Sequence, residues 1–88
     1  MPTGISDRVA GMINVFPNPF NQSTTIRFPN PSGEAYRMVL TDLSGKVCRI
    51  VNDITNSDYV LKRGELKEGM YFIELIGSQT FRCKIIMD

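Results

Sequence analysis

The chain has 88 residues, of which 42% are hydrophobic and 22% charged, and ten basic against nine acidic residues give a net charge of +1. This length allows one small domain, and the near-neutral charge does not indicate a nucleic-acid partner or an anionic lipid surface. With no histidine and only two cysteines, the sequence excludes Ser-His-Asp and Cys-His catalysis, histidine-bearing zinc sites and four-thiolate clusters. We therefore expect no enzymatic activity, no cofactor and no metal.

The first twelve residues are small, polar and weakly patterned, and they lack the continuous apolar region of a secretory signal peptide. We predict that residues 1–12 form a tether, with Met1 as an added start residue, and that the folded domain covers residues 13–88. A start residue directly before a tether suggests a domain cut from a larger protein. No apolar stretch approaches the length of a membrane span.

The apolar residues occur in short runs that are rich in β-branched and aromatic residues and bounded by Gly, Pro, Asn or Asp. This pattern is typical of an all-β protein, and the absence of helical periodicity agrees with it. Two predicted hairpins and regular strand spacing favour an antiparallel β-sandwich. We predict strands at 13–16, 23–28, 36–41, 47–51, 59–63, 70–76 and 80–87, with a further short edge segment around Ile54.

Two prolines surround Asn18 directly after the first predicted strand, in the segment Phe16–Phe20 (FPNPF). Each proline lacks a backbone N–H and restricts the residue before it, so strand pairing has to stop here. The segment is predicted to be a stiff, non-pairing corner, which serves either to protect the edge of the first strand or as a rigid recognition epitope. The segment Phe28–Pro31 (FPNP) repeats the pattern and is predicted to be a loop, because Ser32-Gly33 follows.

Glycines and their polar neighbours predict three turns. The segment 42–46 suits a type I turn closed by a bulge, with Gly45 in the left-handed conformation. The segment 76–79 suits a two-residue hairpin with a positive φ at Gly77. The segment 67–69 is a polar turn that ends at Gly69, before the most apolar strand. We expect Gly45 and Gly69 to serve turn geometry, and Tyr71 to pack in the core.

Cys48 and Cys83 are predicted to be free thiols on the apolar sides of their strands, beside Ile50 and Ile85. In a sandwich we expect their strands to lie two places apart in one sheet, at roughly 10 Å, which is beyond the reach of a disulfide. A disulfide in an oxidising compartment is the open alternative.

The Asn- and Ser-rich segment 52–58 carries Asp53 and Asp58 at its two ends. Carboxylate and carbonyl oxygens are the ligands that calcium takes, so a weak calcium site is conceivable here. The sequence has no repeated Asp-x-Asp pattern in this segment. We therefore interpret both residues as solvated turn residues.

Four motifs follow one another in order over most of the chain. They are Val15–Phe20 (VFPNPF) with Ser23–Ile26 (STTI), Leu40–Val47 (LTDLSGKV), Leu66–Leu75 (LKEGMYFIEL) and Lys84–Met87 (KIIM). Each motif alone is common, but the set in this order resembles the type A C-terminal sorting domain of type IX (Por) secretion substrates from Bacteroidetes.

The resemblance implies an immunoglobulin-like β-sandwich that is not catalytic. It implies that the domain directs a larger cargo protein from the periplasm across the outer membrane through the type IX translocon. A sortase-like surface peptidase would then usually remove it, within or before residues 2–12, leaving the cargo at the cell surface or secreted. By motif position, the implied partner-recognition residues are Pro17, Asn18, Pro19, Lys84, Ile85 and Ile86, and the implied turn-motif residues are Asp42, Gly45, Gly69 and Tyr71.

The residues alone leave a second function open, that of an accessory module binding carbohydrate or a surface partner within an adhesin or hydrolase. Such a module requires an exposed aromatic platform. The segment 17–19 is expected to be an exposed corner. The segment 84–86 is expected to be an edge strand that could extend a partner's sheet, and an edge strand also makes a dimer possible.

Overall fold

A computed structural model of the chain describes residues 13–88, and the predicted tether lies outside the described residues. Short β-branched and aromatic runs form strands at each predicted position, with boundaries that differ by at most three residues. The strands are β1 (Asn14–Phe16), β2 (Ser23–Arg27), β3 (Tyr36–Asp42), β4 (Val47–Ile54), β5 (Asp58–Lys62), β6 (Gly69–Ile76) and β7 (Thr80–Met87).

The strands form two antiparallel sheets that pack as an immunoglobulin-like sandwich, as predicted. One sheet has three strands in the order β1-β2-β5, and the other has four in the order β4-β3-β6-β7. Ile54, expected in a separate edge segment, is the last residue of β4. In residues 13–88, no helix has the length and apolar character needed to cross a membrane.

Alternate residues of both sheets fill one core, because successive side chains of a strand point to opposite faces. Ile26 and Leu61 from the three-stranded sheet are fully buried, as are Met38, Leu40 and Leu75 from the four-stranded sheet. Near one end of this core, three aromatic rings pack together with centroids 5.0 to 6.0 Å apart: Phe28, Tyr36 and Phe81.

The β6–β7 hairpin differs from its prediction. Ile76 pairs with Thr80, so the loop has three residues, 77–79, instead of two. Gly77 is not among the glycines with positive φ, and it is needed for a different reason. A Cβ atom at this position would lie 2.7 Å from the ring of Tyr36, which is itself buried.

We expect Gly77→Ala to destabilise the domain by about 1–3 kcal/mol, because an added methyl group in a tightly packed site forces neighbouring side chains to move. Thermal unfolding of the purified variant measures the loss. In a Tyr36→Leu background the same substitution should cost less, since the ring it meets is gone. An equal loss of stability in the wild-type and Tyr36→Leu backgrounds would contradict this explanation.

A bulge in β4 shifts the alternation of faces in that strand, so that Cys48 packs against the core as predicted but Ile50 does not. Leu40 pairs with Arg49, but the next residue of β3, Thr41, pairs with Val47, so Cys48 is the extra residue. Arg49 therefore shares the inner face with Leu40. The prediction that Ile50 lies on the apolar side was wrong, because Ile50 is 51% exposed on the outer face.

Both cysteines are free and partly buried. Their strands, β4 and β7, are the two edges of the four-stranded sheet, so they lie three places apart and not two as predicted. Burial raises the pKa of the Cys83 thiol to about 11. At neutral pH Cys83 is therefore protonated and behaves as a small apolar side chain.

Candidate recognition site

The residues from Phe16 to Phe20, called here the proline corner, connect the two sheets. The Phe16-Pro17 and Asn18-Pro19 peptide bonds are cis. The hydroxyl group of buried Thr24 donates a hydrogen bond of 2.7 Å to the Pro17 carbonyl, which fixes the corner on β2. Residues 17–19 are exposed, whereas Phe20 is 3% exposed and anchors the corner in the core.

The Asn18 side chain binds the backbone of the terminal segment, defined here as residues 84–88. Its amide nitrogen donates to the Lys84 carbonyl at 3.2 Å, and its oxygen accepts from the Ile86 N–H at 2.9 Å. One carboxamide thus supplies the donor and the acceptor that a neighbouring strand would present to this edge. The first and last predicted recognition segments are therefore in direct contact.

Phe20 continues this pairing as a single parallel bridge opposite Met87. Its N–H donates to the Ile86 carbonyl at 3.0 Å, and its carbonyl accepts from the Asp88 N–H at 2.8 Å. The corner was predicted to be non-pairing, and that prediction was wrong for Phe20. The prolines end the β1 ladder, but the chain then pairs with the other sheet.

These contacts change what the end of β7 can offer to a partner. The outward backbone groups from the Lys84 carbonyl to the Asp88 N–H are already hydrogen-bonded. The expectation that residues 84–86 have a free edge is corrected accordingly. The outer edge of β7 remains without a strand partner in the described residues only from Thr80 to the Lys84 N–H.

Arg63 binds the same region from the other side. Its guanidinium donates to the carbonyls of Asn21, at 3.2 Å, and of Asp88, and its Nε donates to the Leu66 carbonyl at 2.9 Å. One cation thereby satisfies carbonyls from three separate segments. The composition gave no signal for this role, because nothing in the sequence distinguishes Arg63 from the other basic residues.

The side chains of the terminal segment have different environments. Lys84 is exposed on the outer face and lies opposite Phe72, and Ile86 is half-buried opposite Met70. Ile85 points the other way and is 0% exposed. In this structure Ile85 packs in the core, so a partner could contact only Lys84 and Ile86 of these three.

The β3–β4 turn is organised by the Asp42 carboxylate. One of its oxygens accepts from the Ser44 hydroxyl at 2.7 Å, the Ser44 N–H at 2.9 Å and the Lys46 N–H at 3.0 Å. The hydrogen bond from the Ser44 hydroxyl, followed by that from the Lys46 backbone, holds the pKa of Asp42 below its usual value of 3.8. Gly45 has a φ of 89°, as predicted.

Acid is expected to weaken this turn. Because the pKa of Asp42 is lower in the folded state, its stabilising effect is complete above the unfolded-state value of 3.8. The effect is lost as the pH falls through the folded-state pKa. We expect the melting temperature to fall more steeply below about pH 4 in the wild type than in Asp42→Ala. Parallel curves would show that the carboxylate hydrogen bonds do not stabilise the domain.

The Gly69-x-Tyr71 motif also serves a turn. Gly69 has a φ of 143°, a conformation that residues with a Cβ atom rarely adopt. Two residues later, the Tyr71 hydroxyl donates a 2.6 Å hydrogen bond to the Lys67 carbonyl, and the ring is buried. The hydroxyl therefore fixes the turn to the strand that follows it, in the manner of a tyrosine corner.

The second proline motif has a structural role centred on Asn30. This buried side chain donates to the carbonyls of Glu34 at 2.9 Å and Thr55 at 3.1 Å, and accepts from the Glu34 N–H at 3.1 Å. Both Pro-Asn-Pro motifs thus use the asparagine to bind backbone groups. Asn18 does so at the surface beside the terminal segment, whereas Asn30 does so out of reach of a partner.

Comparison with family models matches residues 14–88 to the secretion system C-terminal sorting domain, Por_Secre_tail. The chain belongs to this family. A search of curated proteins returned no match to this chain. The match covers all seven strands, and it supports the role of a type IX secretion signal.

An aromatic binding platform is not formed by the described part of the sorting domain. The two phenylalanines with substantial exposure, Phe16 at 45% and Phe72 at 43%, belong to different sheets. Tyr36 and Tyr71 are buried, and Tyr59 is half-buried. The carbohydrate-binding alternative therefore gains no support from the arrangement of these rings.

An open groove of about 490 Å³ lies on the outer face of the four-stranded sheet. Its lining includes Val39, Phe72, Glu74, Arg82 and Lys84, and the Arg82 guanidinium pairs with Glu74 at 2.9 Å. These side chains offer apolar contacts and positive charge. In residues 13–88, no three Cys, Asp or Glu side chains cluster as metal ligands.

The two aspartates of the conceivable calcium site lie in different strands. The Asp58 carboxylate, in β5, lies 3.8 Å from the Arg27 guanidinium. Asp53 belongs to β4 and has a φ of 60°. An arginine beside Asp58 competes with a cation for the carboxylate.

Proposed function

We propose that this domain directs a larger cargo protein across the outer membrane through the type IX translocon, and that it performs no chemistry itself. Membership of the sorting-domain family supports the role of a secretion signal. We further propose that a sortase-like surface peptidase removes the domain within or before residues 2–12, which leaves the cargo at the cell surface or in the medium.

The proposed recognition surface is the exposed part of the proline corner together with the terminal segment. The observation that carries it is the pair of hydrogen bonds from the Asn18 carboxamide to Lys84 and Ile86. Through this contact the proline corner and the terminal segment, which we propose as recognition segments, lie side by side. We propose that the translocon binds Pro17, Asn18, Pro19, Lys84 and Ile86 as a unit. The prolines and the Asn18 hydrogen bonds restrict the conformations of this surface, which lowers the conformational entropy lost on binding.

The composition of this surface suits a protein partner. The Lys84 ammonium is exposed, and neither of the ion pairs in the described part of the chain involves it. Prolines and a half-buried isoleucine surround the charge with apolar area that is already ordered. A partner with a carboxylate near an apolar patch would complement these groups.

The test is an export assay with residues 2–88 fused behind a periplasm-targeted fluorescent reporter in a bacterium that has a type IX system. The same fusion in a strain lacking the translocon is the control. We expect fluorescence at the surface or in the medium only in the competent strain. Reporter retained in the periplasm of both strains would contradict the proposal, provided that a native substrate of the host is exported in parallel.

A further inference from the structure

Each sheet has two edge strands, and the four edges differ in how well they could pair with another strand. Strand β1 is three residues long and is followed by Pro17, which has no N–H to donate. Strand β4 contains a bulge at Cys48 and a positive φ at Asp53, and bulges disfavour edge pairing. The proline corner already covers the C-terminal end of β7. These features leave β5 as the most regular uncovered edge among the described residues.

The backbone of β5 alternates between its neighbour and solvent. The hydrogen bond from the Arg63 N–H to the Gln22 carbonyl, at 2.9 Å, shows that the odd-numbered residues face β2. In an antiparallel ladder the intervening residues direct both backbone groups to the other side. These are Asp58, Val60 and Lys62, and within residues 13–88 no strand pairs with them on that side.

We propose that this edge pairs with β5 of a second copy of the chain, antiparallel and with the twofold axis at Val60. In this register Val60 lies opposite Val60 of the second copy. Asp58 lies opposite Lys62 of the second copy, and Lys62 opposite its Asp58. The sequence of β5, DYVLK, is thus complementary to itself in charge, which favours one register over its neighbours.

The same register extends a row of cross-strand neighbours across the outer face. Phe16 pairs with Thr25 in the β1–β2 ladder, and Thr25 pairs with Val60 in the β2–β5 ladder. Joining two copies at Val60 therefore places six side chains in one continuous cross-strand row. Val60 is 51% exposed, and the pairing would cover it. Cross-strand neighbours of this kind stabilise a sheet.

Two arginines border the pairing edge. The Arg49 guanidinium, which reaches across from β4, donates to the carbonyls of Lys62 and Arg63. A carbonyl oxygen can accept two hydrogen bonds, so Lys62 retains capacity for the partner strand. On the outer face Arg27 lies 3.8 Å from Asp58, and this carboxylate can accept from Arg27 and from Lys62 of the second copy together.

The contact is small, because β5 has five residues and the pairing adds backbone hydrogen bonds with one central apolar pair. Interfaces of this size are typically weak and transient. By contrast, pairing of two β7 strands about Arg82 would place two arginines opposite each other, which is unfavourable. The self-association that we expect is therefore specific to β5 and dependent on concentration.

Sedimentation equilibrium of the 88-residue chain, over concentrations from micromolar to millimolar, tests the proposal. We expect a monomer–dimer equilibrium. Asp58→Lys and Lys62→Asp each place like charges opposite each other twice. We therefore expect the dimer dissociation constant of either variant alone to rise by about tenfold or more. An equimolar mixture of the two variants should restore dimerisation, because every lysine then faces an aspartate.

Arg37→Glu is the matched control, since it reverses an exposed positive charge on β3 of the other sheet and should leave dimerisation unchanged. Amide hydrogen exchange adds a local readout, because the Val60 N–H should become more protected as concentration rises. A monomer at all concentrations would overturn the proposal. A dimer that is insensitive to the β5 charges, or a mixture that fails to recover, would also overturn it. Melting curves of each variant confirm that it is folded.

Discussion

Replacing Lys84 and Ile86 with alanine is expected to reduce surface display of the reporter toward the level of the translocon-deficient strain, while the domain stays folded. Both side chains reach solvent beside the proline corner. The two substitutions remove the contacts that these side chains would make with a partner. The backbone groups that bind Asn18 and Phe20 remain in place. The export assay measures display, and a melting curve of the purified domain measures stability.

The expected loss of stability is small, because Lys84 is exposed and truncating the half-buried Ile86 costs about 1 kcal/mol of apolar burial. A matched control is Lys46→Ala with Ile50→Ala, which removes an exposed lysine and an exposed isoleucine far from the corner. The control should export normally. If the Lys84 and Ile86 variant unfolds, the contact interpretation fails. If both double variants export equally well, the translocon does not bind this surface.

Gly69→Val is expected to destabilise the domain by about 1–3 kcal/mol, since a β-branched residue is strained at a φ of 143°. A Cβ atom at Gly69 would meet no atom within 4 Å, so the loss comes from the backbone and not from a clash. In a domain of this size the melting temperature should fall by about 5 °C or more. Thermal unfolding measures the effect.

A neighbouring substitution separates the backbone effect from the added side chain. Glu68→Val introduces the same side chain at an exposed position where φ is not positive. We expect it to change the melting temperature little. An unchanged melting temperature for Gly69→Val, or an equal fall for Glu68→Val, would show that the turn does not depend on the glycine conformation.

Local patterns in the sequence predicted the strands well, because β-branched runs between turn residues carry their own signal. The positive φ of Gly45 was predictable for the same reason, since the Asp42–Lys46 turn contains its own donors and acceptors. The alternation in β7 also placed Cys83 and Ile85 correctly on the apolar side of the strand, where Ile85 is buried and Cys83 packs against the core. Each of these features depends on residues that are close together in the chain.

Features that depend on distant residues were missed. Gly77 is required by the ring of Tyr36, which lies 41 positions earlier in the chain, and a turn pattern cannot reveal such a contact. The faces of β4 were misassigned at Ile50 because a single bulge residue, Cys48, shifts the alternation. The pairing of Asn18 with the terminal segment, over 66 and 68 residues, likewise has no local signal.

That separation has a consequence for biosynthesis. The proline corner leaves the ribosome before its hydrogen-bonding partners, which extend from the Lys84 carbonyl to the Asp88 N–H. A chain that stops before residue 84 cannot assemble the corner against β7, whatever the state of its other strands. The assembled corner therefore marks a polypeptide whose synthesis has passed through β7, so products that terminate before β7 would lack it.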